Sequence, residues 1–134
     1  MSATGIDTNV LLRLVLNDDL GQRALALRFG TSLRPDQPGF VNLVVLVELH
    51  WALRSRYRQP RAAALGAIRS LLRTRGLVFE GAEAVARALD RAARTGADFA
   101  DAVIAERNLD LGCFKTVTFD QDAARLIPSM ELLS

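Results

Sequence analysis

Apolar positions along the chain alternate between short β-branched runs and longer stretches at helical spacing. "TGID" reads as a short strand, and "TNVLLRLVL" continues as an apolar helical segment. Asp18 and Asp19 are placed to cap a second helix through "LGQRALALRFGTSL", and "RPDQPG" is turn chemistry. "GFVN" is a second strand, and Asn42 caps a long helix containing "LVVLVELHWAL". Pro60 opens a helix through "RAAALGAIRSLLRT", which Gly76 ends, and "LVFE" is a third strand. The Ala-rich "AEAVARALDRAART" is a helix closed by Gly96, and "DFADAVIAERNLD" starts the next. "KTVTF" is a β-branched strand, "DQDAARLI" a short helix and "MELL" an edge strand. Strands separated by helices of this length predict an α/β fold with a parallel sheet covered on both faces.

Composition narrows the class. At 134 residues, half hydrophobic and 24% charged, the chain reads as one globular domain, 1–134, able to bury a core without disulfides. The longest uncharged apolar run, "PGFVNLVVLV", falls short of the roughly 20 residues a spanning helix needs. The first apolar segment is broken by Asp7 and Arg13 and has no basic leader, so a cytoplasmic protein is expected, with no membrane association. A lone cysteine, Cys113, excludes a disulfide framework and a Cys-based zinc site, and is expected as a buried thiol beside Phe114. Net charge is only +2, yet Lys115 is the sole lysine. Arginine's planar fork suits phosphates, although GC-rich coding accounts for the same bias. The most patch-like basic segment holds Arg54, Arg56, Arg58 and Arg61 around Tyr57; a solvated helix end explains it equally well.

Chemistry enters with the acids. Glu48 has Val44, Val45, Trp51 and Ala52 as its helical neighbours, so an ionised carboxylate on that greasy face requires a partner. Arg13 or Arg107 would serve, and so would a cation. In open parallel sheets ligands bind beyond the carboxyl ends of the strands. Asp7 closes the first strand, Asp120 follows the fourth, and Asp98 and Asp101 share the first turn of one helix. Asp98 there is explained by capping alone, Asp101 less so. Gathered at one sheet edge, Asp7, Glu48, Asp101 and Asp120 would repel one another unless a cation sat between them. Oxygen ligands without histidine or cysteine indicate Mg²⁺ or Mn²⁺, and the matching chemistry is metal-dependent phosphodiester hydrolysis.

"IDTNVLLRLV", "VELHWALR", "ADFADAVIA" and "VTFDQDAARL" stand in the order and spacing of PIN-domain proteins, and across the whole chain the sequence resembles the VapC-type ribonuclease toxins. The resemblance implies a three-layer α/β/α sandwich with a central, mainly parallel sheet of four or five strands. It also implies a carboxylate cluster of Asp7, Glu48, Asp101 and Asp120 that binds Mg²⁺ or Mn²⁺. Asp98 matches an additional acid, and Asn9 and Thr118 match polar positions that support the site. Asp122 matches an acid in only some members and is read as surface. The implied partners are an RNA substrate, a VapB-type antitoxin and a second copy in a homodimer. Arg13, Arg54, Arg56 and Arg58 are the candidates to hold RNA phosphates. Three alternatives stand beside the ribonuclease. An aspartyl-phosphate enzyme would need a lysine near Asp7, and Lys115 begins the wrong end of its strand. A DNA-directed nuclease would use the same acids, and a PIN-fold binding module would use them to capture a basic peptide.

Overall fold

The computed structural model describes residues 2–134, which divide after Glu80 into two units. In the first, strands β1 (Thr4–Gly5), β2 (Gly39–Val41) and β3 (Leu77–Phe79) pair in that order, both pairs parallel. Parallel neighbours need long crossovers. Helices α1 (Thr8–Val15) and α2 (Leu20–Ser32) supply the one from β1 to β2, and α3 (Leu43–Ser55) and α4 (Arg61–Leu72) the one from β2 to β3.

Local chemistry sets these boundaries. Asp19 accepts the amide of Gln22 and starts α2, Asn42 accepts that of Val45 and starts α3, and Pro60 stands at the cap of α4. The start of β2 is crowded: a Cβ on Gly39 would come 2.5 Å from Ile6 Cδ1 and 3.1 Å from both Leu33 and Leu77. Only glycine allows so close an approach. Leu11 and Leu12 of α1 and Leu46, Leu49 and Leu53 of α3 are fully buried, and α1 packs on α3.

The second unit holds α5 (Ala82–Thr95), α6 (Phe99–Asp110), β4 (Thr116–Thr118), α7 (Gln121–Leu126) and β5 (Met130–Leu132). β4 and β5 pair in parallel, with Thr116 opposite Met130. Helices α5 and α6 meet through small side chains: Ala84, Ala88 and Ala92 on one and Ala102 and Ala105 on the other are inaccessible to solvent. Gly96 ends α5 in the left-handed conformation, φ 82°, which costs glycine little. The expected α/β fold is therefore present, with every strand pairing parallel, in a three-stranded and a two-stranded sheet among the described residues. No helix among the described residues is long and apolar enough to cross a membrane.

Two expectations need correction. Cys113 is exposed, and Phe114 beside it is 84% exposed, because both lie in the turn after α6 rather than on a core face. The face of α3 around Glu48 is not buried either: Val44 is 77% and Trp51 58% exposed. α3 is apolar nearly all round, and the stripe that enters the core is Leu46, Leu49, Ala52 and Leu53, leaving Glu48 exposed.

Candidate functional site

In the first unit the chain passes from β1 straight into α1, and Asp7 stands at the junction as the N-cap. Its Oδ1 accepts the amide of Thr8 at 2.8 Å, one of the donors that a helix start leaves unpaired. Thr8 is buried and its hydroxyl donates to Glu48 Oε1, forty residues further along. The partner of Glu48 is thus a threonine hydroxyl. Arg13 donates instead to Asp18 Oδ1 at 2.8 Å and to the Tyr57 hydroxyl at 3.0 Å. Asp7, Thr8, Asn9, Glu48, Ala52 and Arg56 line a cleft of about 260 Å³. Two carboxylates, a carboxamide and a guanidinium therefore share one polar concavity.

In the second unit Asp98 caps α6 and accepts the amide of Asp101 at 3.0 Å. Asp120 caps α7, accepting the amide of Ala123 at 2.9 Å, and its own amide donates to Thr118 Oγ1 at 3.0 Å. The Thr118 hydroxyl thereby holds the β4–α7 corner on which Asp120 sits. Asp101 is half-buried in the first turn of α6. Burial first, then the charges of Asp98 and Asp120, push its carboxyl above the ordinary aspartate value. Asp122 pairs with Arg125 at 3.0 Å in solvent, the surface role read from the sequence.

The donor chemistry suits a hard divalent cation, since oxygen ligands are the only ones offered at either place. Among the described residues no group of three or more His, Cys, Asp or Glu side chains is assembled to hold an ion. Mg²⁺ commonly keeps several waters and takes one or two carboxylates directly, and the acid pair around Thr8 meets that demand.

The arginines divide by role. The Arg13 side chain is only 12% exposed, and it braces α1 against Asp18 and Tyr57. Arg54 donates to the Gln59 carbonyl at 2.9 Å and secures the end of α3. Arg56 reaches the cleft, with its guanidinium 6.0 Å from the Tyr57 ring centre. Arg58 is exposed at a left-handed position, φ 52°. Sequence reading missed Thr8, whose partner is too remote for any local pattern to show. It also missed Glu106, buried in α6 and paired with Arg87 at 2.6 Å; Arg87 reaches Asp110 at 2.6 Å as well.

The PIN domain family model matches residues 6–127. A solved structure of VapC20 from Mycobacterium tuberculosis, described as a sarcin–ricin loop cleaving toxin, is similar at 21% identity. That match covers 92% of this chain and 94% of that one, with a TM-score of 0.44. No curated protein matches significantly. With the family model running from Ile6, just after β1, to the buried Ile127, the chain belongs to the PIN domain family.

Proposed function

We propose that the chain is a metal-dependent endoribonuclease, the toxin of a VapBC-type pair, acting in the cytoplasm. The observation that carries this reading is the cleft in which Asp7 and Glu48 meet Asn9 and Arg56. Membership of the PIN family supports it, as does the Asp101 carboxyl, raised first by its burial and then by the charges of Asp98 and Asp120. Asp7, Glu48, Asp101 and Asp120 would hold Mg²⁺ or Mn²⁺ directly or through water, with Asp98 as an additional acid. When bound, the ion supplies Lewis-acid stabilisation to a phosphodiester under attack by water. Either Glu48 or Asp120 would assist as the general base toward that water. Asn9 lines the cleft, where its carboxamide is placed to support the acids, and Thr118 keeps Asp120 in place.

Arg56 binds a backbone phosphate at the cleft, and Arg54 and Arg58 extend the positive edge for neighbouring phosphates, while Arg13 acts from behind as a brace. The exposed Val44 and Trp51, seven residues apart on α3 and so on one face, offer apolar surface for a second copy or for the VapB-type antitoxin.

Total cellular RNA incubated with wild-type protein and with Asp101→Asn, each in Mg²⁺, Mn²⁺ and EDTA, tests the reading. Discrete cuts that require metal and disappear in the variant are expected. Cleavage that survives EDTA or the substitution overturns it. Folded wild-type protein that cuts nothing but binds a basic peptide through its acids would favour the binding module.

A further inference from the structure

Thr8 hydrogen-bonds to both acids of the cleft, Asp7 and Glu48. Its amide donates to Asp7 Oδ1 and its hydroxyl to Glu48 Oε1. The two bonds differ in what they require. The amide bond depends only on α1 beginning where it does, and any residue but proline would make it. The hydroxyl bond depends on the side chain. Thr8 is 5% exposed, and burying a hydroxyl is unfavourable unless it finds an acceptor. Its β-branched side chain has few χ1 choices, so the hydroxyl stays aimed. One oxygen on each acid is thereby occupied, and Asp7 Oδ2 and Glu48 Oε2 have no protein partner among the described residues.

We infer that Thr8 is a positioning residue for the metal: its hydroxyl orients the Glu48 carboxylate so that Oε2, together with Asp7 Oδ2, is presented to a divalent cation. The inference rests on the metal-site reading above and deepens it. Glu48 is an exposed side chain with three rotatable bonds, and without the hydroxyl it would sample many orientations. A neutral donor on Oε1 also leaves the site open to a cation, where a charged partner would compete with it.

Direct binding of Mn²⁺ to the full chain, followed by the electron paramagnetic resonance signal of the free ion, tests this without reference to activity. Thr8→Val keeps shape and backbone amide while removing the hydroxyl. It is expected to weaken Mn²⁺ binding by about 10- to 100-fold, the usual cost of losing a group that orients a metal ligand. Thr8→Ser restores a hydroxyl and is expected to stay within about threefold of wild type, a rescue that a packing role would not give. Glu48→Gln is the control. If Thr8→Val binds Mn²⁺ like wild type while Glu48→Gln does not, the positioning role is wrong and the metal site stands. If neither variant loses affinity, both fall together. Should Thr8→Val fail to fold, Thr8→Ser decides alone: losing affinity as badly as Glu48→Gln overturns the inference, and near-wild-type affinity supports it.

Discussion

The acids of the first unit and those of the second occupy similar places in the chain, at strand ends and helix starts, yet their surroundings differ. Asp7 and Glu48 are separated by Thr8, which gives each a neutral donor, and Arg56 lines the same cleft. Asp98 and Asp120 spend one oxygen each on a helix amide, and Asp101, half-buried between their charges, has a raised carboxyl. The first arrangement holds two carboxylates in set orientations and tolerates their charge; the second leaves charge uncompensated. A carboxylate that is unfavourable alone and favourable beside a cation is what a metal-dependent enzyme requires.

Four predictions sharpen the contrast, in order of falling size. The largest effect belongs to the acids themselves. Glu48→Gln and Asp101→Asn should each lower metal-dependent cleavage by more than about 100-fold, since even groups outside the ligand set cost 10- to 100-fold. Rates of product formation at saturating Mg²⁺ measure this. Next is Arg56→Ala, expected to weaken RNA binding about tenfold and to reduce the salt dependence of binding by roughly one ion, with Mn²⁺ affinity unchanged. Filter binding across a salt series would show it, and an unaltered slope would remove Arg56 from the phosphate path.

Third comes a charge cluster with no part in the chemistry. Arg87 holds the buried Glu106 and the more open Asp110 at 2.6 Å each, and hydrogen bonding to Glu106 first, then to Asp110, raises the Arg87 pKa above its ordinary value. Arg87→Met should lower Tm by about 5 °C, because it leaves the Glu106 carboxylate buried without a partner. Cleavage at 25 °C should persist. The smallest effect concerns Asp101 and pH. A carboxyl whose folded pKa is raised binds more protons folded than unfolded, so it lowers stability as pH climbs through that range and leaves a penalty at neutral pH. Below the unfolded value the penalty is absent. Asp101→Asn should therefore raise the Tm of the metal-free protein at pH 7 by a degree or two, with the gain vanishing in acid. A Tm difference that grew as pH fell would reverse the sign of the argument.

How far the sequence carried can be read from particular residues. Asp19, Asn42 and Asp98 cap the helices they were expected to cap, and Gly96 closes α5, because caps are local: donor and acceptor lie within three or four positions. The helix–strand alternation was legible for the same reason. Glu48 was singled out rightly as needing a partner, but the partner lies forty residues away, and no pattern within one helix shows that α1 starts with a hydroxyl beside it. The burial of α3 was misjudged because a helix apolar on every side gives no phase; Val44 and Trp51 look like core until Leu46, Leu49 and Leu53 are seen to take that place. Cys113 and Phe114 misled through composition alone, since a turn residue and a core residue can share a hydropathy. In Arg13 the charge was legible and its destination was not: Asp18 and Tyr57 claim it.

The central claim is that Asp7 and Glu48, both held by Thr8, serve the same ion. The direct measurement is Mn²⁺ binding, with cleavage measured in parallel, by wild type, Asp7→Asn, Glu48→Gln and the double variant. Groups that act as one unit are non-additive. The account predicts that the double variant is little worse than either single, with metal affinity and cleavage lost together. Losses that multiply, or a single variant that binds Mn²⁺ and cuts RNA as wild type does, would contradict it.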